Sequence, residues 1–329
     1  MTHLRRRLLA ATAGAFALRG WPVAAQVATP GAYPQRLLRF IVPNAPASSV
    51  DTIGRLLAAE LSKALAQPAV VDNRAGAAGA LGVEAGRTAP ADGHVLIVGS
   101  TTSISTAPLL QKAARYDPLA DFDLISLVAL LPNVLVCHPG LPVKNVRELI
   151  AYARSRGDRT NMASAGIGSA SHLAGVALQA AAGFQSLHVP YKSGSQGVAS
   201  VVSGETDWVL TPAPAAMSLV AGERLRLLGH SMPVGTRPLG DVPAIAASVP
   251  DFEFSGWIGL LAPKGLPAPV LAALVDATAT ALRAPDLVKA FDANGAVPTA
   301  STPAAFRSFL ERDIAQNRKV VQLAGLQPE

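Results

Sequence analysis

The sequence predicts an α/β protein of two lobes joined by a two-strand hinge, with a cleft between the lobes. Short β-branched runs alternate with Ala/Leu-rich segments of helical period, a pattern typical of mostly parallel sheets flanked by helices. The chain has 329 residues, more than a single hydrophobic core usually supports. A strand that ends in Pro and Gly before a helix occurs twice, at Pro139–Pro142 and at Pro263–Pro267. We interpret the two copies as marks of two crossings between lobes.

Seven β-strands are predicted from short apolar runs that are rich in β-branched residues and bounded by turn residues. They are Leu38–Val42, Ala69–Asp72, Val95–Gly99, Asn161–Ser164, Leu187–Pro190, Trp208–Thr211 and Leu225–His230. Two longer extended stretches, Phe122–Cys137 and Phe252–Ala262, lead into the two Pro and Gly turns. Their length is the reason to expect two hinge strands.

Helices are predicted where apolar residues recur every three to four positions, as in Thr52–Leu65, Val146–Ser155 and Val270–Leu282. The alternation of these helices with strands continues on both sides of the expected crossings. We therefore divide the chain into three parts. The signal segment is residues 1–25, the first lobe is residues 26–130 plus 250–329, and the second lobe is residues 131–249.

The first 25 residues have the organisation of a secretory signal peptide. Arg5–Arg7 precede an apolar run over Leu8–Leu18, and Val23–Ala25 supply small residues at the expected cleavage site. The apolar run is about half the ~20 residues that a membrane-spanning helix needs. The paired arginines also fit part of a twin-arginine signal. We predict export and cleavage after Ala25.

The charge and cysteine content exclude several classes of protein. The net charge of +6 falls to +2 when the four arginines of the signal segment are removed, leaving 24 basic and 22 acidic residues. That balance does not favour a nucleic-acid partner. The single cysteine, Cys137, excludes a disulfide framework and a thiolate metal cluster, and its apolar strand predicts a buried, inert thiol. We expect a monomer without metal or cofactor.

Enzyme motifs are absent from the sequence. Lys192-Ser193 lacks the glycine frame of a phosphate-binding loop, and Gly166-Ile167-Gly168 is followed by Ser171 where a dinucleotide fingerprint has its third glycine. There is no Gly-x-Ser-x-Gly or His-Glu-x-x-His motif. No catalytic residue is predicted. A secreted hydrolase that uses Ser169 and His172 stays open as an alternative from another class.

The turn after the first strand has the composition of an anion site. Asn44, Ala47 and Ser48 precede a helix, and Ser48 with Asp51 has the spacing of a capping box. Capping alone would explain Ser48 and Asp51. However, small residues at a helix start also leave backbone N–H groups free at the positive end of the helix dipole, where an anion binds.

Two further turns have the same organisation. One follows the third strand and contains Ser100 and Thr101, and the other runs from Ser164 through Gly166 and Gly168 to Ser169 and His172. Several such turns at the carboxyl ends of strands predict a cleft lined by hydroxyl and amide groups. The sequence thus predicts a ligand that is a small anion.

A series of short motifs along the mature chain carries a family resemblance. They are Ile41-Val42-Pro43 with Asp51, Val71-Asp72-Asn73-Arg74 with Gly76 and Gly79, Ala91-Asp92-Gly93-His94, Tyr116-Asp117-Pro118, Gly168-Ser169 with His172, His188-Val189-Pro190-Tyr191-Lys192, Gly204-Glu205-Thr206-Asp207 and Trp257-Ile258-Gly259-Leu260. In this order they resemble the substrate-binding proteins of tripartite tricarboxylate transporters, the Bug-type periplasmic receptors. The resemblance covers Tyr33–Gly325.

The resemblance implies a type II-like periplasmic binding protein that closes on a small organic acid or acidic amino acid. It also implies delivery of that ligand to membrane permease subunits. Family members hold ligand carboxylates with the first strand–helix loop and its counterpart in the second lobe. Carried over to this chain, these loops contain Ala47, Ser48 and Asp51 on one side and Ser164, Gly166, Gly168, Ser169 and His172 on the other, with Asp207 as a side-chain selector.

One departure from the family pattern affects the expected ligand. The family usually has a Phe and a Gly-Gly pair where this chain has Asn44, Ala47 and Ser48. Alanine and serine tolerate positive φ less well than glycine, so we expect a changed loop and a ligand preference changed towards a more polar or smaller carboxylate. A loss of binding is the alternative. His172 is open to two interpretations, ligand contact or helix capping and packing. A ligand-sensing signalling receptor of the same fold is the alternative to a transport receptor.

Overall fold

Two β-sheets with helices on their faces form the framework of the protein. The computed structural model describes residues 33–232, 234–235 and 239–328. Its strands are β1 (Leu38–Val42), β2 (Ala69–Asn73), β3 (Val95–Ser100), β4 (Phe122–Leu131), β5 (Asn133–Cys137), β6 (Asn161–Ser164), β7 (Leu187–Pro190), β8 (Trp208–Pro212), β9 (Arg226–His230), β10 (Gly256–Pro263) and β11 (Val297–Pro298). The predicted signal peptide lies outside the described residues.

The helices connect these strands. They are α1 (Ser49–Ala64), α2 (Ala80–Arg87), α3 (Ala107–Leu110), α4 (Val146–Arg156), α5 (Ala170–Ala182), α6 (Gly194–Ser203), α7 (Met217–Ala221), α8 (Ala268–Ala281), α9 (Pro285–Ala293) and α10 (Pro303–Leu323), with a π-helix at Thr101–Thr106. The three periodic segments in the sequence correspond to α1, α4 and α8. No helix in the described ranges is both long and apolar enough to cross a bilayer.

Both sheets are mixed. The strand order is β11-β4-β10-β3-β1-β2 in the first sheet and β7-β6-β8-β5-β9 in the second. β1 pairs in parallel with β2 and β3, and β6 pairs in parallel with β7 and β8, whereas the other pairs are antiparallel. The two-lobe α/β fold agrees with the prediction, but the sheets are not mostly parallel. Strand β10 runs against β3 and β4, and strand β5 runs against β8 and β9, because the chain enters these two strands at the lobe crossings and not through a crossover helix.

The chain passes between the sheets at two places that lie side by side. Pro132 alone separates β4 of the first sheet from β5 of the second, and residues 231–255 carry the chain back. The Asn133 N–H donates to Ser231 Oγ at 2.9 Å, and the Asn133 carbonyl accepts the Ser231 N–H at 2.9 Å. Asn133 Nδ2 also donates to the Phe254 carbonyl at 2.6 Å. One buried residue thus joins both crossings.

Each lobe has its own apolar core. Phe40 and Leu57 belong to a buried cluster between the first sheet and α1, α8 and α9. Trp208 and Leu178 belong to a cluster under the second sheet, together with Cys137. Burial raises the pKa of the Cys137 thiol to about 11, so the thiol stays protonated at neutral pH. This agrees with the prediction of an inert, buried cysteine.

Helix α10 packs on both lobes. Phe306 and Leu310 near its start belong to a first-lobe cluster with Trp257 of β10, whereas Val320 and Val321 near its end belong to the second-lobe cluster. From the sequence, residues 250–329 are predicted to belong to the first lobe as a whole. The last turns of α10 contact the second lobe because the apolar stripe of this 21-residue helix continues past the first core.

Gly259 of β10 tests how closely α10 packs on the first sheet. A Cβ at Gly259 would lie 2.2 Å from Cζ of Phe306, whereas a Cβ at Gly256 of the same strand would meet no atom closer than 3.6 Å. We expect Gly259→Ala to lower the free energy of unfolding by about 1–3 kcal/mol through overpacking. Gly256→Ala is the matched control and should be much milder in urea denaturation. Equal effects of the two variants would contradict the packing described here.

Candidate functional site

The turns predicted to hold a ligand lie at facing edges of the two sheets. β1 and β3 are parallel neighbours, so the turn after Val42 and the π-helix after Ser100 leave the same edge of the first sheet. β6 and β8 are also parallel, and the turn after Ser164 leaves one edge of the second sheet. The Ala170 N–H donates to Thr102 Oγ1 at 3.3 Å and brings the two edges into contact.

The turn before α1 is shaped by the buried carboxylate of Asp51. Ser48 is the N-cap of α1, and its Oγ accepts the Asp51 N–H at 3.2 Å. The carboxylate in turn accepts the Ala47 N–H at 2.8 Å. It also accepts Nε–H of Arg55 at 3.0 Å and Nδ2–H of Asn73 at 2.8 Å. Burial alone would raise the pKa of Asp51, but the hydrogen bonds from Arg55 and Asn73 outweigh it and lower the pKa. Asp51 is therefore an ionised group that supports the turn.

Ala47 adopts a backbone conformation that usually belongs to glycine. Its φ is +61°, and the left-handed region costs an L-residue roughly 1–2 kcal/mol. The hydrogen bond to Asp51 holds Ala47 in place, so the absence of glycine does not prevent a left-handed bend here. In the same turn, the Asn44 carbonyl accepts Nδ2–H of Asn73 at 3.1 Å. Asn44 Oδ1 is shielded from solvent and has no partner within the described residues.

The turn before α5 depends on two glycines. Gly166 has a φ of +109° and Gly168 a φ of +71°, both in the region that favours glycine. A Cβ at Gly168 would lie 2.5 Å from Cδ1 of Leu110 in α3, so glycine also permits the close approach of the first lobe. Ser169 is the N-cap of α5: its Oγ accepts the His172 N–H at 3.3 Å and donates to the Gly166 carbonyl at 2.6 Å.

His172 and His188 form a stacked pair beneath this turn. Their ring centroids are 3.9 Å apart and the rings are inclined by 8°. His172 Nδ1 accepts the Gly168 N–H at 3.1 Å, and His188 Nε2 lies 2.6 Å from Ser164 Oγ. Burial, together with the neighbouring His188, lowers the pKa of His172 to about 4, and burial also lowers the pKa of His188. His172 is thus a neutral ring that packs and orients the turn.

The third predicted turn is a π-helix, a form often found at functional sites. The Ser100 N–H donates to Ser103 Oγ at 3.1 Å, and the Ser103 N–H donates to Ser100 Oγ at 3.4 Å. Thr101 Oγ1 accepts a backbone N–H of β10 at 3.0 Å. Ser100 and Thr101 are buried by these contacts. Their neighbour Thr102, which the sequence analysis did not select, is the residue whose hydroxyl reaches the second lobe.

The backbone N–H groups that are free to bind a ligand do not belong to the glycine and alanine residues predicted as site residues. The N–H groups of Ala47, Gly166 and Gly168 are occupied by Asp51 Oδ2, Ser164 Oγ and His172 Nδ1. In the part of the chain that the structure describes, four other N–H groups around the two helix starts have no protein acceptor. They belong to Ser49 and Val50 in α1, and to Ile167 and Ser171 at α5. The positive ends of both helix dipoles add to their attraction for an anion.

Asp207 does not join the other candidate residues. It precedes β8, whereas the turn before α5 follows the parallel strand β6, so the two lie at opposite ends of the second sheet. The Asp207 carboxylate accepts the Asn161 N–H at 2.7 Å, at the start of β6. The length of β6, about 10 Å at ~3.3 Å per residue, separates it from Ser164. In this structure Asp207 joins the starts of two strands.

The arrangement of Ser169 and His172 does not form a catalytic pair. Ser169 Oγ accepts the backbone N–H of His172, whereas the ring Nδ1 accepts the Gly168 N–H. The imidazole is therefore not placed to take the proton of Ser169. Across the residues with described positions, no group of three His, Cys, Asp or Glu side chains could hold a metal ion.

Three residues at these edges are not among the site residues predicted from the sequence. They are Thr102, Ser171 and His188, and each touches a predicted residue or its neighbour. His188 was visible only as part of a motif. The direction of Thr102 could not be predicted, because the 3.6-residue period used to read helices does not apply to a π-helix.

Comparisons with known proteins identify the family of this chain. Residues 53–326 match the family model described as the tripartite tricarboxylate transporter family receptor. The chain belongs to this family. Protein BugT of Bordetella pertussis is 33% identical over 299 residues, which cover 89% of this chain and 90% of BugT. Family members of known structure are solute-binding proteins, and this receptor is accordingly not an enzyme.

Solved structures of receptors share the fold. R. palustris Rpa4515 with adipate has a TM-score of 0.85 and 30% identity, covering 90% of this chain and 100% of that chain. The periplasmic binding protein BugD has a TM-score of 0.82 and 28% identity, with coverage of 90% and 100%. MatC from Rhodopseudomonas palustris with bound malate has a TM-score of 0.79 and 28% identity, with coverage of 88% and 100%. The predicted two-lobe α/β fold of a periplasmic binding protein is confirmed.

The low pKa of His172 predicts a loss of stability in acid. The unfolded chain binds a proton at this residue below about pH 6.5, whereas the native protein does so only below about pH 4. The contribution of His172 to the free energy of unfolding is therefore fully present above pH 6.5. It is lost, by about 3 kcal/mol at most, as the pH is lowered to 4.

We expect the free energy of unfolding, measured by denaturation between pH 7 and pH 4, to fall less steeply with decreasing pH in His172→Asn than in the wild type. The asparagine can still accept the Gly168 N–H but does not titrate. Leu178→Ala, a buried apolar change in the same helix, should lower stability at every pH and retain the wild-type slope. A His172→Asn variant with the wild-type slope would show that His172 is not the titrating group.

Proposed function

We propose that this receptor binds a small organic carboxylate between its two lobes and delivers it to the membrane permease of a tripartite tricarboxylate-type transporter. The observation that carries the proposal is the pair of facing helix starts with unoccupied N–H groups. Charge-assisted hydrogen bonds contribute roughly 1.5–3 kcal/mol each, so four of them approach the ~8 kcal/mol of micromolar binding. The bound anion would complete the hydrogen bonds of both helix starts.

The relatives support a carboxylate over other anions. Rpa4515 and MatC were solved with adipate and malate, a dicarboxylate and a hydroxydicarboxylate. A carboxylate at each helix start would suit a ligand with two acidic groups or with one acidic group and a polar end. Acidic amino acids belong to the same chemical class.

The proposal places the mature protein in the periplasm. The basic and apolar organisation of residues 1–25 is that of an export signal. BugD, which shares the fold, is a periplasmic binding protein. A monomer would suffice, because both sides of the proposed site come from one chain.

A thermal-shift screen with mono-, di- and tricarboxylates and acidic amino acids tests the proposal. A ligand at one hundred times its dissociation constant stabilises the native state by about 2.7 kcal/mol and raises Tm visibly. We expect at least one carboxylate to do so, and neutral sugars to have no effect. The proposal is wrong if a neutral sugar or peptide raises Tm and no carboxylate does.

Ser49→Pro tests the contribution of one N–H group. Proline is tolerated at the first residue of a helix, as Pro285 and Pro303 show in α9 and α10, but it has no N–H to donate. The extended backbone of Ser48 also suits a residue before proline. We expect the variant to fold and to bind the best carboxylate of the screen about tenfold more weakly by calorimetry.

Ala268→Pro is the matched control for Ser49→Pro. Ala268 is the first residue of α8, which begins after β10 at the opposite edge of the first sheet. This variant should bind like the wild type. Unchanged affinity in Ser49→Pro would mean that the Ser49 N–H does not contact the ligand.

A further inference from the structure

Asp313 is a buried carboxyl group at the meeting point of three elements. It lies in α10, and its side chain is 9% exposed. One oxygen, Oδ2, accepts the hydroxyl of Ser105 in the π-helix and Nε1–H of Trp257 in β10, the latter at 2.7 Å. No basic side chain forms an ion pair with Asp313 among the described residues. Burial of a carboxyl group without a neighbouring cation costs desolvation free energy, which the hydrogen bonds to the carboxyl must offset.

The hydrogen bonds of Asp313 continue to the lobe junction. Trp257 also donates its backbone N–H to Thr101 Oγ1 at 3.0 Å, so it holds the π-helix with its main chain and Asp313 with its indole. At the next residue, Thr102 Oγ1 accepts the Ala170 N–H at the start of α5. A short connected network therefore runs from α10 through the π-helix to the second lobe.

The position of Asp313 along α10 matters for this network. Leu310, almost one turn earlier, packs in the first-lobe core, and Val320, two turns later, packs in the second-lobe core. α10 is thus supported at both ends by different lobes, and Asp313 lies between these supports. A π-helix is rare and usually a single turn, and here two of its residues, Ser105 and Thr101, are held by hydrogen bonds from outside it.

We propose that Asp313 is a positioning residue of the ligand site. Through Ser105 and Trp257 it holds the π-helix so that Thr102 meets the start of α5 when the lobes close on a carboxylate. The proposal rests on the proposed function for its link to ligand, whereas the support of the π-helix stands on the contacts alone. Asp313 does not touch the ligand itself.

The chemistry of the network explains why an acceptor is needed at this position. Removing the carboxylate would leave a buried hydroxyl and a buried indole N–H without a partner, at a cost of about 1–3 kcal/mol each. Asparagine retains one oxygen at the same position, and this oxygen can accept hydrogen bonds from both the Ser105 hydroxyl and the Trp257 indole N–H. Leucine retains the volume and removes the acceptor. The two substitutions therefore separate hydrogen bonding from packing.

The test compares Asp313→Leu, Asp313→Asn and the wild type by two measurements. The first is amide hydrogen exchange of Thr101–Thr106 and of the first turn of α5, without ligand. The second is calorimetric affinity for adipate and for malate. We expect faster exchange and about tenfold weaker binding or worse in Asp313→Leu. Asp313→Asn should stay within about threefold of the wild-type affinity.

Leu274→Ala is the control for a general loss of stability. Leu274 is buried in α8, in a first-lobe cluster that does not include the π-helix. At an equal loss of Tm, Leu274→Ala should leave both the exchange of Thr101–Thr106 and the affinity unchanged. The proposal is overturned if Asp313→Leu changes neither readout more than Leu274→Ala does.

Ser105→Ala covers the possibility that Asp313→Leu does not fold. This variant removes the Ser105 hydroxyl that donates to Asp313. It should also exchange the amides of Thr101–Thr106 faster than the wild type, although less so than Asp313→Leu. Exchange at the wild-type rate in Ser105→Ala would also overturn the proposal. If neither adipate nor malate binds the wild type and the carboxylate screen is negative, the proposed function fails. The exchange measurement then still decides whether Asp313 supports the π-helix.

Discussion

An α-helix cannot satisfy the N–H groups of its own first turn, and the two lobes of this receptor are arranged around that constraint. α1 and α5 begin at facing sheet edges, and each start is capped by a serine, Ser48 or Ser169. The caps satisfy one donor each and leave others unoccupied. The rest of the site supports this arrangement: Asp51 bends the turn before α1, and the histidine pair holds the turn before α5.

The close approach of the lobes depends on small residues at the point of contact. Gly168 leaves room for Leu110, and Ala170 places its N–H against Thr102. At this point the contact combines the Leu110 side chain with a hydrogen bond from the Ala170 N–H to the Thr102 hydroxyl. Small residues at this point agree with the proposal of a small ligand, and two relatives were solved with adipate and malate.

Much of the fold could be predicted because local periodicity reports it directly. The strands β1, β3 and β6 and the helix α1 were found with nearly correct ends, since each has a regular pattern of buried positions. The direction of β5 and β10 depends on how the chain crosses between lobes, which no local pattern encodes. The sheets were therefore expected to be more parallel than they are.

The same distinction applies to the site. The turns before α1 and α5 were recognised by their small residues, whereas the N–H groups that stay free depend on which side chains accept the others. Asp207 was selected from its motif, but the polarity of β8 puts it at the far edge of the sheet. Asp313 had no sequence signal, because its partners Ser105 and Trp257 are distant in the chain.

Cys137 has a consequence for how this protein is made. A chain with one cysteine cannot form an internal disulfide, so its folding needs no thiol oxidation or isomerisation step. In the oxidising compartment proposed for it, an accessible thiol would be open to mixed disulfides with other exported proteins. Burial of Cys137 in strand β5 of the second sheet removes that reaction once the chain has folded. The receptor is accordingly built to mature independently of the redox state of its surroundings.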